Sequence, residues 1–262
     1  MLVFGTRPEA IKMCPLVKEL KQHTTIETVV CVTGQHKEML EQVLDVFKII
    51  PDYDLGVMKT NQTLFPITTS ILDKIQSVLD EEKPDIVLVH GDTTTTFVTA
   101  LAAFYKGIKV GHVEAGLRTY NLHSPFPEEF NRQATSIVSD YNFAPTEVSK
   151  ENLVREGREN IFVTGNTVID ALKTTVQNDY SHPILDWAKG SKLIMLTAHR
   201  RENLGEPMEH MFRAVNRILD EFEDVKVVYP IHKNPKVREL ANKVFGNNAV
   251  SYTHLRAHET TL

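Results

Sequence analysis

Residues 86–132 read IVLVHGDTTTTFVTALAAFYKGIKVGHVEAGLRTYNLHSPFPEEFNR, and this stretch decides the fold. Residues 86–89 form a short apolar run, residues 93–105 follow helical spacing, and residues 110–113 are apolar again. This order predicts a β-α-β unit whose two strands are parallel and buried. Because open parallel sheets bind ligands at the carboxyl ends of their strands, any site is expected there.

Three acidic residues follow these elements. Asp92 and Glu114 come directly after the two strands, and Glu128 lies in the next loop-to-helix turn. Neighbouring strands lie about 5 Å apart, so two carboxylates can face one small molecule. Each residue alone has a structural alternative, since Asp92 could cap the following helix and Glu114 could form a structural ion pair. Together with Glu128 they predict a site for proton transfer.

Length and composition limit the possible classes of protein. At about 150 residues per domain, 262 residues predict one complete domain and much of a second. The hydrophobic content of 42% is typical of globular proteins, and the net charge of -5 argues against a nucleic acid partner. Cys14 and Cys31 show neither disulfide nor metal-ligand spacing. With no signal peptide or membrane-length apolar stretch, we expect a cytoplasmic protein without a membrane partner.

Short apolar runs alternate with amphipathic stretches to about residue 250, which predicts a doubly wound α/β protein. A polar segment between residues 178 and 191, broken by Pro183 and Gly190, predicts a domain boundary. We therefore expect an N-terminal lobe over residues 1–178 and a partial C-terminal lobe over residues 179–250. The predicted strands are 2–4, 26–33, 86–90, 109–113, 141–144, 161–164, 193–197 and 225–230, and the second-lobe helices are 207–221 and 235–244.

The last residues, 251–262, read SYTHLRAHETTL and do not continue the alternation. They resemble translated sequencing-adapter fragments, so we expect a non-native tail and a native sequence that ends near Val250. His254 and His258 have the spacing of a helical metal-binding pair. Because no third ligand lies nearby, no metal site is predicted.

The segment FGTRPEAIK near the start predicts a helix that opens beside a strand end. Thr6 and Glu9 have the spacing of a capping box, and Pro8 suits a first helical turn. Arg7 and Lys12 add positive charge beside the free amides of the helix, which suits a diphosphate. The alternative is that both are solvated helix residues.

The segment PFPEEFNR places Glu128 and Arg132 one helical turn apart, where a surface ion pair is the usual explanation. The loop that leaves the Glu114 strand end brings this segment near the same crevice. In the second lobe, His199 and its two following arginines, Arg200 and Arg201, come after a strand in TAHRREN. That group suits an anionic leaving group better than a metal.

Six segments in order resemble blocks of the non-hydrolysing UDP-N-acetylglucosamine (UDP-GlcNAc) 2-epimerases. They are FGTRPEAIKM, HGDTTTT, VGHVEAGLRT, SPFPEE followed by NR, GNTVIDAL and TAHRREN. The resemblance covers nearly all of residues 1–250. It implies a GT-B architecture, with two Rossmann-like doubly wound parallel-sheet lobes of which the second is incomplete here. It also implies a homodimer.

The resemblance implies reversible epimerisation at C2 of UDP-GlcNAc to UDP-N-acetylmannosamine (UDP-ManNAc), which supplies surface polysaccharide. The C2 proton leaves, UDP is eliminated to give 2-acetamidoglucal, and UDP adds back with protonation on the opposite face, without NAD or a metal. The catalytic residues carried over are Asp92, Glu114, Glu128, Arg132, which steadies the carboxylates, and His199, which stabilises departing UDP. Arg7 and Lys12 match substrate-binding positions, together with Asp92, Glu114 and His199.

Bacterial members also carry an allosteric UDP-GlcNAc site, and Gln35, His36, Arg200 and His232 match that region. Two departures weaken this expectation. Glu38 and Asn61 stand where regulated relatives have Gln and Arg, and losing an Arg removes a bidentate phosphate partner. The family's C-terminal Ser-Gly-Gly block, which helps to hold the nucleotide, is not in this sequence, so the chain by itself is expected to be inactive.

Three other functions stay open from the sequence. A hydrolysing epimerase, which releases free ManNAc and UDP, shares the fold and several motifs. Because the Ser-Gly-Gly block is not in the sequence, half of the uridine pocket is missing, and the chain could instead be a fragment that binds nucleotide sugars without catalysis. A glycosyltransferase of the same architecture fits less well, because simple glycosyl transfer does not need clustered proton-transferring carboxylates.

Overall fold

The computed structural model describes residues 1–34, 37–57, 63–176, 179–198, 203–231, 234–246 and 250–253. The chain divides into two compact units, Met1–Val176 and Gln177–Leu262. Several predictions fall outside the described residues, namely those on Gln35, His36, Asn61, His199, Arg200, Arg201, His232, His254 and His258, and nothing is described of the Glu38 side chain.

The first unit is built on a seven-stranded parallel sheet of order β3-β2-β1-β4-β5-β6-β7. Its strands are β1 (Leu2–Phe4), β2 (Val30–Val32), β3 (Tyr53–Asp54), β4 (Ile86–His90), β5 (Lys109–Val113), β6 (Tyr141–Ala144) and β7 (Ile161–Val163). From β1, the chain adds β2 and β3 on one side of the sheet; it then returns to β4 on the other side of β1 and continues outward through β7. The carboxyl ends of β1 and β4 therefore form the topological switch point, where open α/β sheets bind ligands.

Helices cover both faces of this sheet. They are α1 (Arg7–Leu20), α2 (Lys37–Phe47), α3 (Leu64–Glu82), α4 (Thr94–Tyr105), α5 (Glu128–Val138), α6 (Glu147–Arg155) and α7 (Val168–Thr175). Along β1, Val3 packs in one core cluster, whereas Leu2 and Phe4 pack in the other. This alternation is what a strand buried on both faces requires.

Most strand predictions in the first unit are confirmed, and two are corrected. The predicted strand over residues 26–33 is limited to β2, since Ile26 is 45% exposed and only the last part of the run enters the sheet. The two-residue β3 was not predicted, because so short a strand leaves no periodic pattern. The predicted strand 161–164 ends one residue earlier, at Val163.

The second unit contains a three-stranded parallel sheet of order β10-β9-β8. Its elements are α8 (Pro183–Ala188), β8 (Lys192–Met195), α9 (Glu206–Glu221), β9 (Val225–Pro230), α10 (Pro235–Phe245) and β10 (Val250–Thr253). Met208, Phe212, Tyr229 and Phe245 are buried together in its core. Both predicted helices are confirmed within one residue at each end.

Strand β10 corrects the predicted end of the regular pattern. Ser251, Tyr252 and Thr253 pair in parallel with Val228, Tyr229 and Pro230 of β9. The sheet therefore continues three residues past Val250 through pairing with β9. Among the described residues, no helix has the length and apolar character needed to cross a membrane.

Candidate active site

The turn between β1 and α1 is organised by the Glu9 side chain. Thr6 and Glu9 form the predicted capping box at the start of α1. Glu9 Oε2 accepts hydrogen bonds from the backbone N–H groups of Gly5 at 3.1 Å and Thr6 at 2.7 Å. Burial raises the pKa of this carboxyl, and the hydrogen bonds from Thr93, Thr6 and the two amides oppose that shift.

Glu9 also joins the two loops of the switch point, a role that was not predicted. Its Oε1 accepts from Thr93 Oγ1 at 2.7 Å, and Thr96 Oγ1 lies 3.2 Å away. One buried carboxylate thus connects the β1–α1 turn to the β4–α4 turn. The capping-box spacing predicts the contacts of Glu9 within its own turn. No local sequence pattern predicts its contacts with Thr93 and Thr96.

In the turn after β4, the Asp92 side chain does not cap the following helix. Thr93 is the N-cap of α4 and accepts from Thr96 N–H at 3.1 Å, so the capping alternative for Asp92 is wrong. Asp92 Oδ2 lies 3.6 Å from Arg132 Nη2, and Asn131 Nδ2 donates to the Asp92 carbonyl oxygen at 2.9 Å. Burial raises the pKa of Asp92. The Arg132 charge opposes the shift, while Glu128 and Glu114 add to it.

Glu114 follows β5 with a φ of 63°, in the left-handed region. For a non-glycine residue this conformation costs on the order of 1–3 kcal/mol and is concentrated at functional sites. The Glu114 Oε2 atom lies 2.6 Å from Lys12 Nζ and accepts from Asn166 Nδ2 at 2.8 Å. Glu114 therefore forms an ion pair, as the structural alternative predicted. Lys12 and Glu114 nevertheless both line the cavity described below, so the pair is part of the candidate site.

Arg132 does not pair with Glu128 in the contacts of the described residues, contrary to the surface ion-pair alternative. Its Nε lies 3.1 Å from Glu129 Oε2, and its Nη2 points to Asp92. Glu129 is fully buried and accepts from the N–H groups of Thr119 at 3.0 Å and Tyr120 at 2.9 Å. Glu129 therefore holds both the guanidinium and the loop that leads to α5.

Two histidines near Glu114 were not singled out from the sequence. His90, the last residue of β4, is buried, and its Nε2 lies 3.9 Å from Glu114 Oε2, beyond hydrogen-bond distance. Burial, with a contribution from Lys12, lowers the pKa of His90 to about 3. His112 Nε2 lies 2.7 Å from the Gly91 carbonyl oxygen, and burial lowers the pKa of His112 to about 4. Both imidazoles are neutral at physiological pH.

These groups surround a cavity of about 390 Å³ at the switch point of the first unit. Four carboxylates line it, together with Lys12 and His90; the four are Glu9, Asp92, Glu114 and Glu128. Its volume lies in the usual range for small-molecule sites, roughly 300–1,000 Å³. A cavity with several acids, a cation and a helix N-terminus can bind an anionic sugar derivative and exchange protons with it.

Most of the predicted first-lobe residues meet at this cavity. Lys12, Asp92, Glu114 and Glu128 line it, and Arg132 contacts Asp92. Arg7 is the first residue of α1 and is half-buried, but it is not among the lining residues. The predicted second-lobe residues, His199 among them, lie outside the described residues.

Comparison with known proteins gives consistent matches. The family model described as UDP-N-acetylglucosamine 2-epimerase matches residues 18–260. The UDP-N-acetylglucosamine 2-epimerase of Bacillus subtilis (strain 168) is 62% identical over 250 residues, which cover 95% of this chain and 66% of that protein. The chain thus spans about two thirds of that relative's length.

Solved structures agree. The S. aureus MnaA–UDP co-structure has a TM-score of 0.89 and 52% identity, covering 98% of this chain and 69% of that chain. The Neisseria meningitidis UDP-GlcNAc 2-epimerase bound to UDP-GlcNAc has a TM-score of 0.87 and 48% identity, covering 98% of this chain and 72% of that chain. These similarities confirm the expected α/β class and GT-B architecture.

Proposed function

The chain belongs to the UDP-N-acetylglucosamine 2-epimerase family, and from that premise we propose that its full-length protein interconverts UDP-GlcNAc and UDP-ManNAc. By full-length protein we mean one of the relatives' length that carries these residues. The substrate is proposed from the relatives, since one solved relative is bound to UDP-GlcNAc and another to UDP.

The observation that carries the proposal is the convergence of Asp92, Glu114 and Glu128 on one cavity. They come from the loop after β4, the end of β5 and the start of α5. Inversion at C2 requires a proton to leave one face of the sugar and another to arrive on the opposite face. Carboxylates on separate elements can serve the two faces, and the raised pKa of Asp92 suits a group that carries a proton in part of the cycle.

The proposed steps balance without an added oxidant or reductant. A carboxylate takes the C2 proton, the bond between C1 and the UDP oxygen breaks, and the pair of electrons from C2 forms the double bond of 2-acetamidoglucal. In the return step, the UDP oxygen bonds to C1 while a carboxylic acid delivers a proton to the opposite face of C2. Because hydrogen leaves and returns at C2 as a proton, and the C1–oxygen bond breaks and re-forms with its electron pair on the UDP oxygen, these steps involve no hydride transfer and call for no NAD.

The nucleotide diphosphate is proposed to lie against the N-terminus of α1. The positive end of the helix dipole favours an anion there, and Lys12 supplies a formal charge beside Asp92 and Glu114. Arg7 adds charge to the same helix start. His199 of the second unit is proposed to donate to departing UDP, because a leaving diphosphate needs a nearby donor in the transition state.

Further parts of the proposal rest on family resemblance. We propose a cytoplasmic homodimer with an N-terminal lobe over residues 1–178 and a second lobe that begins at residue 179. A second UDP-GlcNAc is proposed at Gln35, His36, Arg200 and His232. The product is proposed to supply ManNAc for surface polysaccharide.

The test is incubation of the full-length protein with UDP-GlcNAc in EDTA-containing buffer without NAD, followed by ¹H and ³¹P NMR. An equilibrium mixture of UDP-GlcNAc and UDP-ManNAc is expected. Free ManNAc with stoichiometric UDP would identify a hydrolysing epimerase instead. Binding of UDP-GlcNAc without any turnover would identify a nucleotide-sugar-binding protein.

A further inference from the structure

The block GNTVIDAL has no role in the mechanism above, yet its Asn166 contacts the proposed catalytic machinery. Asn166 lies in the loop between β7 and α7. Its Oδ1 accepts from Val168 N–H at 3.0 Å, and its Nδ2 donates to Glu114 Oε2 at 2.8 Å. One neighbour is a donor and the other an acceptor, so the amide can be oriented in one way only.

The Glu114 carboxylate is held through a single oxygen. Oε2 receives Asn166 Nδ2 from one side and Lys12 Nζ from another. In the contacts of the described residues, both hydrogen bonds to this carboxylate go to Oε2. The second oxygen, Oε1, lies beside Gly91, where an added Cβ would be 3.7 Å away.

We propose that Asn166 is a positioning residue that anchors Oε2 of Glu114, so that Oε1 is the atom that exchanges a proton with the sugar. The inference rests on the proposed function. A Glu side chain has several rotatable bonds, and two anchors on one oxygen fix the direction of the other. Displacement of a reacting group by about 1 Å can reduce the rate about a hundredfold, so this anchoring has a measurable effect.

The Asn166→Asp variant separates positioning from helix capping. Its carboxylate can still accept from Val168 N–H and cap α7, but it places a second carboxylate oxygen against Glu114 Oε2. Two carboxylates at hydrogen-bond distance cannot both ionise, and they share a proton. The other titratable groups around Glu114 include Lys12, Asp92 and the two buried histidines, His90 and His112.

In the full-length protein, Asn166→Asp is expected to lower kcat at pH 7 by up to about a hundredfold, with a smaller change in KM. The acidic limb of its pH–rate profile is expected at higher pH, because Glu114 stays protonated longer beside the new carboxyl. Asn166→Ala is expected to lower kcat without moving that limb, since it removes the donor and adds no charge.

Asn160→Asp is the matched control. Asn160 directly precedes β7, at the amino end of the strand, whereas Asn166 follows its carboxyl end. Asn160 is exposed and donates from Nδ2 to the Asp140 carbonyl oxygen at 3.0 Å. The substitution makes the same change in charge and removes the same kind of donor. It is expected to leave kcat and the pH–rate profile within about twofold of the parent, in the ordinary range for exposed positions.

A second readout does not depend on turnover. In protein labelled with ¹³C at glutamate carboxyl carbons, the Glu114 signal, identified by its loss in Glu114→Gln, is expected to respond to pH at higher values in Asn166→Asp than in the parent. If the parent does not convert UDP-GlcNAc, the proposed function fails. The NMR signal would still show whether the side chain at position 166 interacts with the Glu114 carboxylate. Parent-like kcat in both Asn166 variants, or an unchanged Glu114 titration in Asn166→Asp, would overturn the proposal.

Discussion

Lys12 of α1 and Glu114 after β5 are 102 residues apart in the sequence and form an ion pair with an Nζ–Oε2 distance of 2.6 Å. Their side chains are 23% and 12% exposed. The pair joins the helix end proposed for the diphosphate to a carboxylate proposed for proton transfer. On the proposed binding mode, the diphosphate and Glu114 would share one cation, Lys12.

The Lys12→Met substitution in the full-length protein is expected to lower kcat/KM at least tenfold. Removing one partner of a largely buried, hydrogen-bonded charge pair typically costs about 2–5 kcal/mol, because the other charge is left unpaired. Steady-state kinetics and UDP titration calorimetry provide the measurement. Lys21→Met is the control, since Lys21 is exposed at the other end of α1. Equal effects of the two substitutions would contradict a specific role for Lys12.

Asp92→Asn in the full-length protein is expected to reduce turnover at least about a hundredfold, the usual range for lost acid–base catalysis. The exchange of the C2 hydrogen of UDP-GlcNAc with solvent deuterium should fall in parallel. Asp80→Asn removes a carboxylate from an exposed pair with Lys106 and is the control. Near-normal C2 exchange in Asp92→Asn would exclude Asp92 from proton transfer.

The same variant has an expected pH signature in its stability. Because burial raises the pKa of Asp92 in the folded state, the folded protein holds this proton more tightly than the unfolded chain. The favourable contribution is complete below the unfolded pKa of Asp, near 3.8, and is lost as pH rises through the folded value. Asn cannot ionise, so Asp92→Asn should gain stability relative to the parent as pH rises from 4 to 7. Urea unfolding at several pH values provides the measurement; a difference that stays constant, or that moves against the variant as pH rises, would contradict the raised pKa of Asp92.

The sequence predicts the part of the site that follows strand ends. Asp92 and Glu114 stand directly after apolar runs, and parallel topology alone brings such positions to one edge. The order of family blocks then predicts the architecture. Strand β3 was missed because two residues leave no periodic pattern, and the extension of β10 was missed because those residues join the sheet through pairing with β9.

Contacts between distant residues could not be predicted. Glu9 with Thr93, and Asn166 with Glu114, depend on which loops the folded sheet places together. The Arg132–Glu129 pair is local, and its choice depends on burial. Helical spacing suggested Glu128 as the partner of Arg132. In the fold, the fully buried Glu129 competes better, because a buried carboxylate without cationic or hydrogen-bond partners would be costly.

Glu9→Ala is expected to reduce the free energy of unfolding by at least about 2 kcal/mol, because it leaves buried donors in both loops without acceptors. Glu9→Gln should cost less, since its amide oxygen can accept from the Gly5 and Thr6 N–H groups while its NH₂ donates to the threonine hydroxyls. Glu19→Ala on the exposed face of α1 is the control. Urea unfolding in which Ala and Gln at position 9 behave alike would contradict the bridging role.

His112 is expected to make the protein sensitive to acid. Its pKa is lowered from 6.5 to about 4 by burial, so the unfolded chain takes up a proton that the folded protein refuses. Stability is unaffected above pH 6.5 and falls by about 1.4 kcal/mol per pH unit as pH drops from 6.5 towards 4. His112→Gln should reduce the slope of unfolding free energy against pH by that amount. An unchanged slope would mean that His112 titrates normally.

The most direct test of proton transfer at the carboxylate cavity is the isotope content at C2. The full-length protein is incubated with UDP-GlcNAc in D₂O, and the nucleotide sugars are analysed by ¹H NMR and mass spectrometry. Removal and return of the C2 proton predicts that UDP-ManNAc forms with deuterium at C2 and that recovered UDP-GlcNAc also acquires deuterium there. UDP-ManNAc that forms while retaining protium at C2 would contradict the account.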